Sequence, residues 1–348
     1  METAVVQPLT WFLGDDVSVV MLDSAAADTY SNPDDKSSET HLNDGAKVYQ
    51  YQESAYLTEI AAAFPIRIRV LFEREVQTQI KHWLSKLSAP FAICILSREN
   101  SLVGLEIAAK HSLGAEIRQF PSLRGGELIE IQQPLPRLTT PGLLVMDMDS
   151  TAIEIECIDE LAALAGVGEE VAAVTELAMQ GELDFEQSLR QRVAKLKGAP
   201  ASIIDDLCIN LPLMPGLEVM IAELKSHGWH LVLASGGFSH FVEYLKDKLA
   251  LDAAYANQLV IVNGVLQGEV IGTVVDAEFK AKVLSECAHK WHIPAGQNLA
   301  IGDGANDIPM IQAADFGIAF HGKEKLINAA DAAVSQLDLR ALVFLLQA

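Results

Sequence analysis

Four apolar residues, Leu143-Leu144-Val145-Met146, run straight into Asp147, Met148, Asp149, Ser150 and Thr151. No other stretch constrains the fold as tightly. An uninterrupted apolar run reads as a strand buried on both faces, the kind found in the middle of a parallel sheet. Paired acids directly after it put charge at the carboxyl edge of that sheet, where open α/β folds bind ligands. Two carboxylates this close repel each other unless a cation lies between them or one is protonated. Taken alone, Asp-x-Asp reads equally well as a solvated acidic turn capping a strand.

Beyond residue 143 strand and helix alternate. Strands are expected at 230–234, 299–301 and 316–320, with helices at 238–249 and 277–290. Asn263-Gly264 between two apolar runs marks a hairpin over 259–270. This pattern implies a Rossmann-like parallel sheet with helices on both faces. The stretches 158–165, 171–179 and 185–196 are helical with no strand between them, so a helical cap is expected over about 155–212, above the active edge. Two more strand ends carry chemistry. Leu231-Val232-Leu233-Ala234 leads into Ser235-Gly236-Gly237-Phe238, where glycines and free helix-start amides suit an anion. Leu299-Ala300-Ile301 leads into Gly302-Asp303-Gly304-Ala305-Asn306-Asp307, adding two acids at the same edge. Hard oxygen ligands of this kind favour Mg²⁺. Lys280, at the start of the 277–290 helix, is the candidate cation, with Lys282 as its competitor.

The 348 residues suggest about two domains. Net charge is −22, from 25 basic and 47 acidic residues. That balance repels nucleic acid and anionic membranes, so an anionic substrate needs local cations or a metal. Cys94, Cys157, Cys208 and Cys287 form no Cys-x-x-Cys pair, and neither a membrane-length apolar run nor a secretory leader is evident, so a reduced cytoplasmic compartment is expected. Residues 1–60 are the least informative, with short strands at 11–13 and 19–22 and a mobile acidic loop at 28–54. Residues 61–133 read as a small α/β domain, with strands at 66–70, 91–96 and 128–131 and a helix at 105–113. The helical face between the first two strands collects Phe72, Val76, Ile80, Trp83, Leu84 and Leu87. Pro134, Pro136 and Pro141 mark a linker over 134–142, leaving 143–348 as one further domain.

The four stretches around Asp147, Ser235, Lys280 and Asp303 resemble the four motifs of the haloacid dehalogenase-like superfamily of phosphohydrolases. Within it, Glu156-Cys157-Ile158-Asp159-Glu160, Glu182-Leu183-Asp184-Phe185 and Ser188-Leu189-Arg190-Gln191-Arg192-Val193 look like the phosphoserine phosphatase family. The N-terminal part resembles the ACT-like domain of longer bacterial forms. The resemblance implies Asp147 as a nucleophile that becomes an aspartyl-phosphate, and Asp149 as general acid and base. It implies Mg²⁺ held by Asp147, the Asp149 backbone carbonyl and Asp303, with Asp307 supporting from behind. Ser235, the Gly236 amide and Lys280 would bind phosphoryl oxygens, and Asn306 would orient Lys280 or the phosphate. Glu156 would take the ammonium of phosphoserine and Arg192 its carboxylate, with Met179 and Phe185 as an apolar wall. The partner is then a small molecule, neither nucleic acid nor membrane, and the N-terminal domain allows a homodimer. Two rivals remain: a related phosphatase for another small phosphate ester, and a phospho-accepting receiver that also uses Asp, Mg²⁺, a hydroxyl and a lysine.

Overall fold

The structure is a computed structural model that describes residues 20–21, 41–42, 46–50, 64–87, 91–111, 113–121 and 123–348. It divides into two units: Met1–Leu138 with Val334–Ala348, and Thr139–Ala333.

The strands of the first unit are β1 (Val20–Met21), β2 (His41–Leu42), β3 (Ala46–Gln50), β4 (Ile66–Phe72), β5 (Phe91–Leu96), β6 (Val103–Ala109) and β7 (Gly126–Ile131). They form one sheet in the order β1-β3-β5-β6-β4-β7, with β2 pairing β3. In β4 alternate residues leave opposite faces. Ile68, Val70 and Phe72 meet Ile80, Trp83 and Leu84 of the Gln77–Leu84 helix. On the other face Arg69 is fully buried, and its Nε donates to Glu106 at 2.9 Å. Arg67 donates to the same carboxylate at 2.6 Å. Strand arginines usually reach water; here the segment after Ala333 covers them. Arg69 Nη1 donates to the Leu346 carbonyl at 2.8 Å, and Glu127 accepts from the Gln336 amide at 2.7 Å. Leu342, Val343, Phe344 and Leu345 are buried in the 3₁₀ turn Leu339–Leu345.

Three expectations change here. Residues 143–348 are not one unit, because the segment 334–348 buries its apolar run within the N-terminal unit. Most of the expected 105–113 helix is strand β6: Leu105 and Ile107 face the core while Glu106 meets the two arginines on the other side. A short apolar run fits both periods, and the pairing partners decide. The 28–54 stretch contains β2 and β3 rather than loop alone. The expected strand at 11–13 lies outside the described residues, as do Val19 and Leu22.

The second unit carries β8 (Leu143–Met146), β9 (His230–Phe238), β10 (Ala253–Val262), β11 (Val265–Ile271), β12 (Asn298–Gly302), β13 (Phe316–Phe320) and β14 (Ala332–Val334). The sheet order is β11-β10-β9-β8-β12-β13-β14. β8 runs parallel to β9 and β12, β9 to β10 and β12 to β13, whereas the β10–β11 hairpin is antiparallel. Asn263 and Gly264 both adopt left-handed backbone at its tip, φ 49° and 75°, as a two-residue hairpin turn requires. Val145, Val232, Ala234 and Ala300 pack on Val283, Leu284, Cys287, Met310 and Ile311. Between β8 and β9 come the helices Cys157–Leu164, Gly168–Met179, Phe185–Lys195 and Ser202–Ile209, the expected cap. The third opens with a capping box between Asp184 and Gln187. No described helix is long and apolar enough to cross a membrane.

Candidate active site

Because β9, β8 and β12 are neighbouring and parallel, their carboxyl ends share one edge. Met146 pairs with Leu233 on one side and Ile301 on the other. The residues that follow, Asp147, Ser235 and Asp303, therefore gather at the same rim. Lys280 reaches this rim from the Ala277–Lys290 helix, which starts at Asp276, whose side chain accepts from the Phe279 amide at 2.9 Å.

Lys280 is 1% exposed, and its Nζ sits 2.7 Å from Asp147 Oδ1 and 2.8 Å from Asp307 Oδ1. Burial pulls its pKa down, but the two carboxylates outweigh burial and raise it, so it stays charged. Lys282 is exposed and pairs with Glu286 at 3.5 Å, so of the two lysines Lys280 is the one at this rim. Asp307 is also held by the Gly304 amide, which donates to Oδ2 at 3.0 Å. The side chain that orients Lys280 is thus Asp307; Asn306 instead lines the cavity beside Gly304. Burial and then Asp307 push Asp147 well above the ordinary carboxylate range. The same two causes, in that order, push Asp303 up to about 6. Thr151 Oγ1 lies 3.5 Å from Asp303 Oδ1.

The chain leaves β8 at Asp147 and turns sharply. Ser150 takes left-handed backbone at φ 55° and donates to Glu156 Oε1 at 2.9 Å. A non-glycine residue there stores strain, which tends to collect at functional sites. The turn carries the Asp149 carboxylate to the start of the first cap helix, where Oδ1 accepts from the Cys157 amide at 3.1 Å. Burial and then the Glu156 charge raise Asp149 to about 7, against the pull of that amide. Cys157 is buried, and burial followed by the Asp149 charge pushes its thiol up, so it serves as packing rather than as a nucleophile.

On the β9 side, Ser235 is fully buried and its Oγ accepts from the Gly237 amide at 2.8 Å. Gly236 admits the cap: a Cβ there would lie 2.9 Å from the Phe185 ring. Asn257, which the sequence reading missed, donates through Nδ2 to the Gly236 carbonyl at 2.8 Å. Its Oδ1 accepts from the Val275 amide, also at 2.8 Å. It therefore ties the Ser235–Gly237 loop to the lead-in of the Lys280 helix. The available signal was a poor strand former inside β10, where the pairing with β9 shifts register between Tyr255 and Asn257.

The rim encloses a cavity of about 130 Å³ lined by Asp147, Asp149, Glu156, Phe185, Arg192 and Asp303, among others. Burial lowers the Arg192 pKa, opposed by Asp159, Glu156 and Asp149, and its Nε is buried without a hydrogen-bond partner. Met179 is not brought into this cavity. It is 72% exposed and lines a more open neighbouring groove shared by Phe185, Arg192 and Asn306. His289 and His292 take no part; their rings meet each other at 6.4 Å.

A divalent ion fits this rim. Carboxylate oxygens of Asp147, Asp303 and Asp307 lie within 4.8 Å of one another, the only such group among the described residues. The donors are all hard oxygens, and Asp147 and Asp303, raised first by burial and then by the Asp307 charge, are carboxyls whose ionised form a cation would favour.

Residues 142–315 match the family model for haloacid dehalogenase-like hydrolases. The phosphoserine phosphatase of Vibrio cholerae is 54% identical over 216 residues, covering 62% of this chain and 66% of that protein. The phosphoserine phosphatase of Haemophilus influenzae is 55% identical over 213 residues, covering 61% and 68%. The solved unliganded structure of a probable phosphoserine phosphatase from Vibrio cholerae superposes with a TM-score of 0.68 at 43% identity, covering 80% of this chain and 86% of that one. With its Asp-x-Asp strand end, central parallel sheet and inserted cap, the chain belongs to the haloacid dehalogenase-like hydrolase family.

Proposed function

We propose that the chain is a Mg²⁺-dependent phosphoserine phosphatase, hydrolysing O-phospho-L-serine to L-serine and phosphate as the last step of serine biosynthesis. The observation that carries the reading is one cavity that joins a nucleophile-type rim, Asp147 with Lys280, to the cap residues Glu156 and Arg192. Phosphoryl transfer is mostly positioning and charge stabilisation. Lys280 and the Met148 amide, the latter at 2.8 Å, hold Asp147 Oδ1. That leaves Oδ2 to attack phosphorus. As the Oδ2–P bond forms and the ester P–O bond breaks, Asp149 gives its proton to the departing serine oxygen. Water then attacks phosphorus, Asp149 takes its proton, and the Asp147–phosphate bond breaks. A carboxyl raised to about 7 is suited to both transfers.

Asp147, Asp303 and the Asp149 carbonyl would hold Mg²⁺, which supplies charge neutralisation on the phosphoryl oxygens. Asp307 fixes Lys280, and Lys280 with Ser235 and the Gly236 amide binds those oxygens. Glu156 takes the substrate ammonium and Arg192 its carboxylate, a group that suits a guanidinium fork. Phe185 closes over Gly236 as the water-excluding wall, and Met179 extends that wall only on cap closure. The β4-to-β7 run, ordered β5-β6-β4-β7 with helices after β4 and β6, supports an ACT-like reading of the N-terminal unit, which allows a homodimer. The test is phosphate release from phosphoamino acids, sugar phosphates and nucleotides, with and without Mg²⁺. Many turnovers on phosphoserine alone are expected. Equal rates on all esters would refute the substrate, and a single turnover per chain would favour a receiver.

A further inference from the structure

The cap is joined by hydrogen bonds to the sheet edge beside the Phe185–Lys195 helix. The segment 198–201, just after that helix, runs against the start of β11. The Gly198 amide donates to the Leu266 carbonyl at 2.8 Å, Leu266 to Ala199 at 2.9 Å and Ala201 to Gly264 at 2.8 Å. Pro200 stands opposite Val265 in an antiparallel bridge. Arg190 Nη1 adds a bond of 3.3 Å to the Val270 carbonyl. β11 lies at the end of the sheet order, so this segment occupies ladder groups that an edge strand would leave open.

Gly268 lies in the middle of this seam. Leu259 pairs with Val270 and Ile261 with Leu266, so β11 spends extra residues between the two pairs. The surplus around Gln267-Gly268-Glu269 bulges from the ladder. Gly268 takes a left-handed φ of 74°, and a Cβ there would lie 2.8 Å from Lys197 Cβ and 3.1 Å from the Ala194 carbonyl. Ala194 is on the helix that also carries Phe185, Leu189 and Arg192, all three of which line the cavity.

We propose that Gly268 is a positioning residue for substrate selection: its missing side chain lets β11 close against the end of the Phe185–Lys195 helix, and that contact sets how far Arg192 reaches into the cavity. Arg192 and Ala194 share the last turn of the helix, so pushing that turn outward withdraws Arg192. Misplacement by about 1 Å costs on the order of 100-fold where positioning governs the rate. The inference rests on the phosphoserine reading, since Arg192 matters only for a substrate with a carboxylate.

The experiment compares phosphoserine with p-nitrophenyl phosphate, which lacks both amine and carboxylate, on the full chain. For Gly268→Ala the KM for phosphoserine should rise about tenfold or more, while kcat/KM for the aryl ester changes by less than about threefold. Gly272→Ala is the control: φ is 80°, yet nothing lies within 4 Å of a Cβ there. It imposes the same backbone strain without the push and should keep the parent's preference. Gly268→Asn serves if the alanine variant folds poorly, because asparagine tolerates left-handed backbone and still carries a Cβ. Equal losses on both substrates, an unchanged phosphoserine KM, or the same shift in Gly272→Ala would overturn the proposal. A parent that shows no preference for phosphoserine overturns the function itself and this role with it.

Discussion

Replacing Lys280 with methionine tests the electrostatic account of the rim. The substitution keeps an unbranched chain in a site 1% exposed and deletes the charge. Ionised, Asp147, Asp303 and Asp307 face one buried cation at 2.7 Å and 2.8 Å from two of them; the variant leaves three acids and none. Removing one partner of a buried ion pair costs about 3–5 kcal/mol, a large share of the roughly 5–15 kcal/mol that holds a domain folded. The assay is urea denaturation in excess chelator, read by tryptophan fluorescence at about pH 8 and about pH 5.5. Without Lys280 the carboxyls of Asp147 and Asp303 stand further above their unfolded values, so the folded variant binds more protons than the unfolded chain. The resulting penalty is fully present above the folded pKa values and is relieved as pH falls through them. Asp303, already near 6 with the lysine in place, starts this window close to neutrality. The variant's deficit should therefore be large at the higher pH and smaller at the lower. A variant as stable as the parent at both values, or a deficit that grows on acidification, refutes the reasoning.

Asp147→Asn should abolish phosphate release while leaving the fold intact in a thermal melt, because the amide buries no charge and Lys280 keeps Asp307 as a partner at 2.8 Å; retained turnover would remove Asp147 as nucleophile. Arg192→Ala should lower kcat/KM for phosphoserine by about 10- to 100-fold, as loss of charged hydrogen bonds does, with little effect on an aryl phosphate; equal losses would take it out of the carboxylate pocket. Chelation should stop turnover reversibly, and Mg²⁺ at about 100 times its Kd should add about 2.7 kcal/mol of stability. Full activity in chelator together with an unmoved melting temperature would sink the metal assignment.

The candidate edge was legible because each chemical group follows an apolar run set between helix-period stretches, a repeat that reads as buried parallel strands. Leu143–Met146, the start of His230–Phe238 and Asn298–Gly302 all end where charge or glycine begins. Lys280 was legible as a candidate only through its place near a helix start; its burial between two acids is a long-range fact. Asn257 escaped because an isolated polar residue in a strand looks like a surface position until its two partners fold next to it. The N-terminal unit was read less well for the same reason. Arg67, Arg69 and Glu106 look solvated in sequence, and only the distant segment 334–348 makes that face an interior.

That segment has a consequence for how the molecule is made. Synthesis delivers β4 to β7 first and their cover roughly 200 residues later, an interval of about 10–40 s at ordinary translation speeds. During it the arginine–glutamate face can only be wet, and β8 to β13 of the second unit are all synthesised within that interval. Completion of the first unit thus waits on a segment made after the strands of the second.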